Sequence, residues 1–344
     1  MNNHTDNWRK ELEEKKKEFT SYFEGLGQGS LKGLRVASPG SGDSTDCPIS
    51  ERWWNKFIGK LTHKTLFYHD EPWLSLVAMW GLFGDQSPEC LASGASMINE
   101  ILKQGAGAPN NPPQFKEVEN CSLELQLPEC LRYRQFVKES LQKTACKHPY
   151  YERHLALQDK IAANKSSVEG NTQVDIIISG KAANNKPLFV FIEAKFLSDI
   201  SCHTTYVPVR NQIIRNIDSA LEYVLEKGYG IDSFCFLLLS PEFFRNSEYG
   251  GSAKSQWAPL PGGDTSRLYS YKMNEYRKPA LLKAALPHWQ HYDTPRLGDD
   301  DYERLANRIG WITFEDIVQT SPTDRAEVPL FYENFFRERG LWPC

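Results

Sequence analysis

The chain reads as an α/β protein, and three features of its sequence predict that class. Two β-branched, apolar runs, Val174–Ser179 and Leu188–Phe196, have the composition of strands. The stretch Asn211–Lys227 carries Ile213, Ile214, Ile217 and Leu221 at helical spacing and leads into a third apolar run, Phe234–Leu239. The order strand, strand, helix, strand predicts a mixed central sheet flanked by helices.

The elements follow from the N-terminus. Residues 8–24 predict a surface helix with mixed charges, and the Gly/Ser/Pro-rich residues 25–48 a long loop. From Glu51 to Lys103 the chain turns aromatic and helical; Trp53, Trp54, Trp73 and Trp80 suit a helical core better than a nucleobase-stacking surface. GAGAPNNPP at 105–113 cannot continue a helix, so we expect a helical N-terminal extension over 1–110 and a second domain over 111–344. Residues 129–147 predict a helix rich in Arg132, Arg134, Lys138, Lys143 and Lys147. A helix over Tyr150–Ala163 and the strand, strand, helix, strand series follow, and residues 246–265 read as a loop. GDDDYERLANR opens a helix whose acids suit its N-terminal dipole, and GWITFEDIV is strand-like.

With 40% hydrophobic and 24% charged residues in 344, the composition is that of a folded chain. The net charge of −4 excludes a broad positive coat, so a nucleic-acid partner would be held by a local patch. None of the eight cysteines forms a CxxC pair, which argues against zinc ribbons and iron–sulfur ligation. The first residues have no apolar signal core, and no run approaches the ~20 apolar residues of a membrane span. The expectation is a cytoplasmic protein with reduced thiols and no membrane partner.

Chemistry concentrates where the apolar strands carry charge. Period-two alternation places Phe189, Phe191, Glu193 and Lys195 on one face of their strand, and Leu188, Val190, Ile192, Ala194 and Phe196 on the other. The connector Ser179–Pro187 is short and turn-rich, so an antiparallel hairpin can bring Asp175 beside Glu193. Two adjacent carboxylates repel unless a cation neutralises them, and oxygen donors favour Mg²⁺ or Mn²⁺ over zinc. Lys195 then sits where negative charge would develop.

Asp175, the hairpin and Glu193-Ala194-Lys195, followed by a helix and a strand, resemble the PD-(D/E)XK nuclease superfamily over roughly residues 148–240. Val174 stands where the motif has proline. The resemblance implies a restriction-endonuclease-like core in which Asp175, Glu193 and the Ala194 carbonyl hold Mg²⁺ or Mn²⁺ and Lys195 activates water. It implies a further glutamate on a preceding helix, with Glu152 the candidate and Glu169 its competitor. It also implies a polar residue on the next helix, for which Gln212 is the candidate and Asn216 shares its face. Arg210, Arg215, Arg132, Arg134 and Lys138 are the expected phosphate contacts. The function implied is hydrolysis of phosphodiesters, with DNA the expected partner, endonucleolytic cutting the expected mode, host defence a context and a homodimer one arrangement. Two rivals stand beside it: a nuclease-like scaffold that no longer cuts, and a glycosidase built on the two carboxylates, for which the lysine would do little. Cys202-His203 lacks a third orienting group, and His288 and His291 in HWQH read as core or surface histidines.

Overall fold

A computed structural model of the chain describes residues 35–36, 71–84, 86–105, 107–143, 172–196, 200, 210–245, 268–291, 297–322, 328 and 332. The helices expected over 8–24 and 150–163, and with them Glu152, Glu169, Cys202 and His203, lie outside the described residues.

The protein is α/β, with a mixed sheet between helices. Strand β1 is a two-residue piece, Arg35–Val36; β2 is Phe115–Leu127, β3 Thr172–Ala182, β4 Pro187–Ala194, β5 Phe234–Ser240 and β6 Ile309–Thr313. They lie side by side in chain order. Strands β2, β3 and β4 form an antiparallel meander, while β4, β5 and β6 run parallel. The parallel pair β4–β5 requires a crossover, which is the helix expected over Asn211–Lys227.

The β3–β4 hairpin turns through Ala183–Lys186, with Asn185 at φ 62, a left-handed conformation that asparagine tolerates. Asn184 Oδ1 accepts from the Lys186 amide at 3.0 Å. The ladder ends at the pair Ile176–Ile192, and Asp175 and Glu193 are the next residues beyond it on the two strands.

Among the described residues the helices are α1 (Glu71–Phe83), α2 (Pro88–Gln104), α3 (Leu131–Lys143), α4 (Gln212–Glu226), α5 (Glu242–Arg245), α6 (Leu268–Tyr276), α7 (Pro279–Ala285), α8 (His288–His291), α9 (Asp299–Ala306) and α10 (Phe314–Thr320). Helix α4 packs on one face of the sheet, where Tyr223 meets Phe189 and Phe191 edge-on. Helix α1 contacts β2, β3 and β4 and carries Trp80 and Phe83 into the interior, so these two rings fill core. Both faces of β4 are therefore dry, which its near-continuous apolar sequence requires. Helices α1 and α2 precede the break at 105–113, yet their buried residues join the same cluster as the sheet.

Strand β2 was not anticipated. Its register shifts between Phe115 and Glu117 and again between Val118 and Asn120 break the alternation by which a strand is recognised. Gly180 of β3 lies against this irregular stretch, where an added Cβ would sit 2.0 Å from the Glu117 carbonyl oxygen. Only the first half of GWITFEDIV is strand, because Thr313 caps α10 by accepting from the Asp316 amide at 3.1 Å. The acids of α9 serve the helix as expected: Asp301 accepts from the Gly298 amide at 2.9 Å.

Along the outer side of β6 runs the segment 107–111. Trp311 N donates to the Gly107 carbonyl at 2.7 Å, and Asn111 N to the Asn307 carbonyl at 3.0 Å. Pro109 rests on Gly310, where a Cβ would meet the ring at 2.5 Å. No described helix is long and apolar enough to cross a membrane.

Candidate functional site

The polar end of β4 meets the start of α4. Glu193 is 2% and Lys195 5% exposed, so both charges are removed from water and must find partners. Lys195 Nζ lies 3.0 Å from Glu193 Oε1. Gln212 Nε2 donates to the same oxygen at 2.7 Å, and Asn216 Nδ2 donates to Oε2 at 2.7 Å. Both oxygens of one carboxylate thus receive hydrogen bonds from two amides four residues apart on α4, the spacing that puts side chains on one helical face. Asn211, just before them, caps α4 by accepting from the Ile214 amide at 3.1 Å and donates to the Tyr276 hydroxyl at 2.5 Å, which fixes where the first turn points.

Asp175, half-buried, faces the same side of the ladder. Its Oδ2 accepts from the Ala194 amide at 2.7 Å, which ties the end of β3 to the residue between Glu193 and Lys195. The backbone of Lys195 is held in turn by the Leu239 carbonyl of β5 at 2.8 Å. The structure therefore brings together Asp175, Glu193, Ala194, Lys195 and Gln212, and adds Asn216 from the face already recognised. Two carboxylates, a backbone carbonyl and no sulfur or imidazole make an oxygen donor set, which fits a hard divalent cation.

Of the expected phosphate contacts, Arg210, Arg132 and Arg134 are engaged with neighbouring acids. Arg210 points inward: it is 3% exposed, its NH2 bonds Asp218 Oδ2 at 2.8 Å, and its guanidinium stacks 3.6 Å from the Tyr133 ring centroid. It neutralises a buried acid and presents no guanidinium to a phosphate. Arg132 pairs with Glu222 at 3.4 Å and covers the Trp289 ring. Arg134 pairs with Glu129 at 3.7 Å. Arg215 is half-buried, and Lys138 is exposed on α3. Of the basic helix, then, the described arginines are engaged with neighbouring acids and rings, and the lysine faces water.

A second polar cluster, which the sequence reading did not find, lies on another side of α4. His288 Nε2 is 2.9 Å from Asp218 Oδ1 and 3.5 Å from Cys130 Sγ. Trp289 Nε1 donates to the same Asp218 oxygen at 2.6 Å, and Cys130 Sγ is 3.6 Å from Glu222 Oε2. Asp218 and His288 are both fully buried. Burial alone would raise the Asp218 carboxyl, but the charges of His288 and Arg210 and hydrogen bonds from His288 and Trp289 hold it well below the usual carboxylate range. Burial and the neighbouring acids Asp218 and Glu222 push the Cys130 thiol well up, so it is no ready nucleophile. One imidazole nitrogen faces both the thiol and the acid, whereas a nucleophilic triad uses one nitrogen for each. Cys130, Asp218, Glu222 and His288 come from three distant stretches of chain, so no spacing motif could have announced them; His291, the other histidine of HWQH, is on the surface beside Glu139.

Comparison of the chain with protein-family models, with curated proteins and with solved structures gives no match.

Proposed function

We propose that the protein is a metal-dependent nuclease of PD-(D/E)XK type, hydrolysing phosphodiester bonds, with DNA the favoured substrate. The observation that carries the proposal is the union of Asp175, Glu193 and Lys195 at one end of a covered hairpin, with Gln212 and Asn216 gripping Glu193. The β3–β4 hairpin, the crossover helix α4 and the parallel strand β5 follow the order hairpin, helix, strand on which the resemblance rests.

Asp175, Glu193 and the Ala194 carbonyl are the residues that would hold Mg²⁺ or Mn²⁺. When bound, the ion offsets the repulsion of the two carboxylates, polarises a phosphoryl oxygen and makes its water a better nucleophile. The chain's own groups do the rest. Gln212 and Asn216 fix the orientation of the Glu193 carboxylate, and the Ala194 amide fixes Asp175, so neither acid needs to reorganise as charge develops. Lys195 brings an ammonium group to the same place, where it can hold the attacking water or balance the negative charge gathering on the phosphoryl oxygens. Low exposure strengthens each of these interactions.

A second reading, a scaffold that binds nucleic acid without cutting, would leave one of Asp175, Glu193 or Lys195 replaced; all three are present. The test is cleavage of plasmid, single-stranded DNA and RNA with Mg²⁺ or Mn²⁺ by the full chain and by Glu193→Ala and Lys195→Ala. Cutting that requires the metal and falls by at least ~10²-fold in both variants is expected. No metal-dependent cutting of any substrate, or cutting indifferent to both substitutions, rejects the proposal.

A further inference from the structure

The cluster behind α4 is a better metal site than its sequence suggests. Its donors are a thiol, an imidazole nitrogen and a carboxylate oxygen, all within 4.8 Å of one another and all buried. Soft sulfur with imidazole selects zinc, in contrast to the all-oxygen set at Asp175 and Glu193. Ligand distances of about 2.0–2.3 Å at a tetrahedral angle put neighbouring donors about 3.3–3.6 Å apart. Here sulfur and nitrogen are 3.5 Å apart, and nitrogen and oxygen 2.9 Å, within a small adjustment of that spacing. Glu222, one turn beyond Asp218 on α4, brings a further oxygen to 3.6 Å from the sulfur.

The surroundings are also those of a metal centre. Asp218 turns Oδ1 toward His288 at 2.9 Å and there also accepts from Trp289 Nε1 at 2.6 Å, while Oδ2 takes a hydrogen bond from Arg210 at 2.8 Å. Arg132 supports Glu222 at 3.4 Å. Outer hydrogen bonds of this kind orient ligating carboxylates and offset the anionic charge of the ligand set. His288 Nδ1, on the far side of the ring, has no partner among the described residues, so Nε2 is the nitrogen that its contacts define.

We propose that Cys130, His288 and Asp218 bind a structural zinc ion. The ion would join the start of α3, the middle of α4 and the short helix α8. A four-residue helix such as α8 cannot hold itself, and a closed zinc site supplies folding energy that its length does not. Zinc here would be structural, because all three ligands are buried and come from separate elements that the ion would tie together.

The test is metal analysis of the full chain, purified without chelator after growth with zinc, and cobalt substitution by refolding. About one zinc per chain and a thiolate-to-cobalt charge-transfer band are expected. Zinc should persist in Glu193→Ala, which separates this site from the candidate catalytic one, and in Cys90→Ser, which removes a different thiol. It should fall to about zero in Cys130→Ser. Should Cys130→Ser fail to fold, Cys130→Asp decides, since it keeps a ligating atom near the place of the sulfur: loss of the charge-transfer band supports the site, and an unchanged band overturns it. Wild type without zinc and without a cobalt band overturns it as well, as does zinc retained by folded Cys130→Ser.

Discussion

Asn216 and Asp218 stand two positions apart on α4 and serve different neighbourhoods: Asn216 donates to Glu193 on the sheet side, while Asp218 accepts from Arg210 and Trp289 among the helices behind. Two residues along a helix differ by about 200° in direction. A helix buried on all sides can therefore couple two polar clusters through its own rigidity.

Asn216→Asp should be severely destabilising while leaving the volume of the site unchanged. It sets a second carboxylate about 2.7 Å from Glu193 in a fully buried position. A buried, uncompensated charge costs about 3–5 kcal/mol, or else one acid takes up a proton. Thermal melts at neutral and mildly acidic pH should show a deep loss of stability that acid partly restores.

Gln212→Ala should act on rate more than on stability, because Gln212 is half-buried and its bond to Glu193 is charge-assisted. A side chain that orients a ligating carboxylate is worth roughly 10- to 100-fold in metal affinity or activity. An unchanged Tm with a reduced kcat is the expected pair of readings; unchanged cleavage would show that Glu193 needs no help from this amide.

Arg210→Ala should unfold the protein sooner than it weakens nucleic-acid binding. Removing its guanidinium leaves Asp218 partly uncompensated in the interior, a loss of about 3–5 kcal/mol. Chemical denaturation against substrate affinity separates the two roles: a stable variant with weakened binding would return Arg210 to the surface role first expected of it.

Gly180→Ala should damage the sheet. The new methyl would meet the Glu117 carbonyl oxygen at 2.0 Å and backbone at Val118 at 2.9 Å, so β2 must move or the pair must part. Overpacking of this kind costs about 1–3 kcal/mol or more, readable as a fall in the urea midpoint.

The pH dependence of stability should carry a signature of Glu315. Burial raises its carboxyl above the ordinary glutamate value, partly opposed by hydrogen bonds from Tyr332 and the Glu242 amide. A raised folded value means that its contribution to stability is complete below the unfolded pKa and is lost as pH rises through the folded one. Between those two values wild type should lose stability with rising pH, and Glu315→Gln should lose less. Parallel Tm profiles of the two proteins would refute the assignment.

Much of the sheet was legible because its strands are extreme in composition. The ends of Val174–Ser179, Leu188–Phe196 and Phe234–Leu239 lie within three residues of those of the observed strands, and the α4 boundaries agree to one residue. Strand β2 was hidden because bulges erase the period-two pattern that betrays a strand. At the site, Glu193 and Lys195 could be placed by period and register, and Gln212 through the resemblance. Arg210 could not, since sequence shows a cation but not the buried Asp218 that claims it. The Cys130, Asp218 and His288 cluster was beyond reach for the same reason: its members meet only once α3, α4 and α8 have packed.

The strap over β6 has a consequence for how copies of the chain can meet. An outermost strand normally offers a row of unsatisfied amides and carbonyls to which another chain can add a strand. Here Gly107 takes the amide of Trp311, and the Pro109 ring occupies the space beside Gly310, so this margin is closed from within. Gly107→Val, whose Cβ would meet the Trp311 carbonyl oxygen at 2.1 Å, would push the strap off this margin while keeping every helix and strand, and so expose an edge primed to pair with another chain.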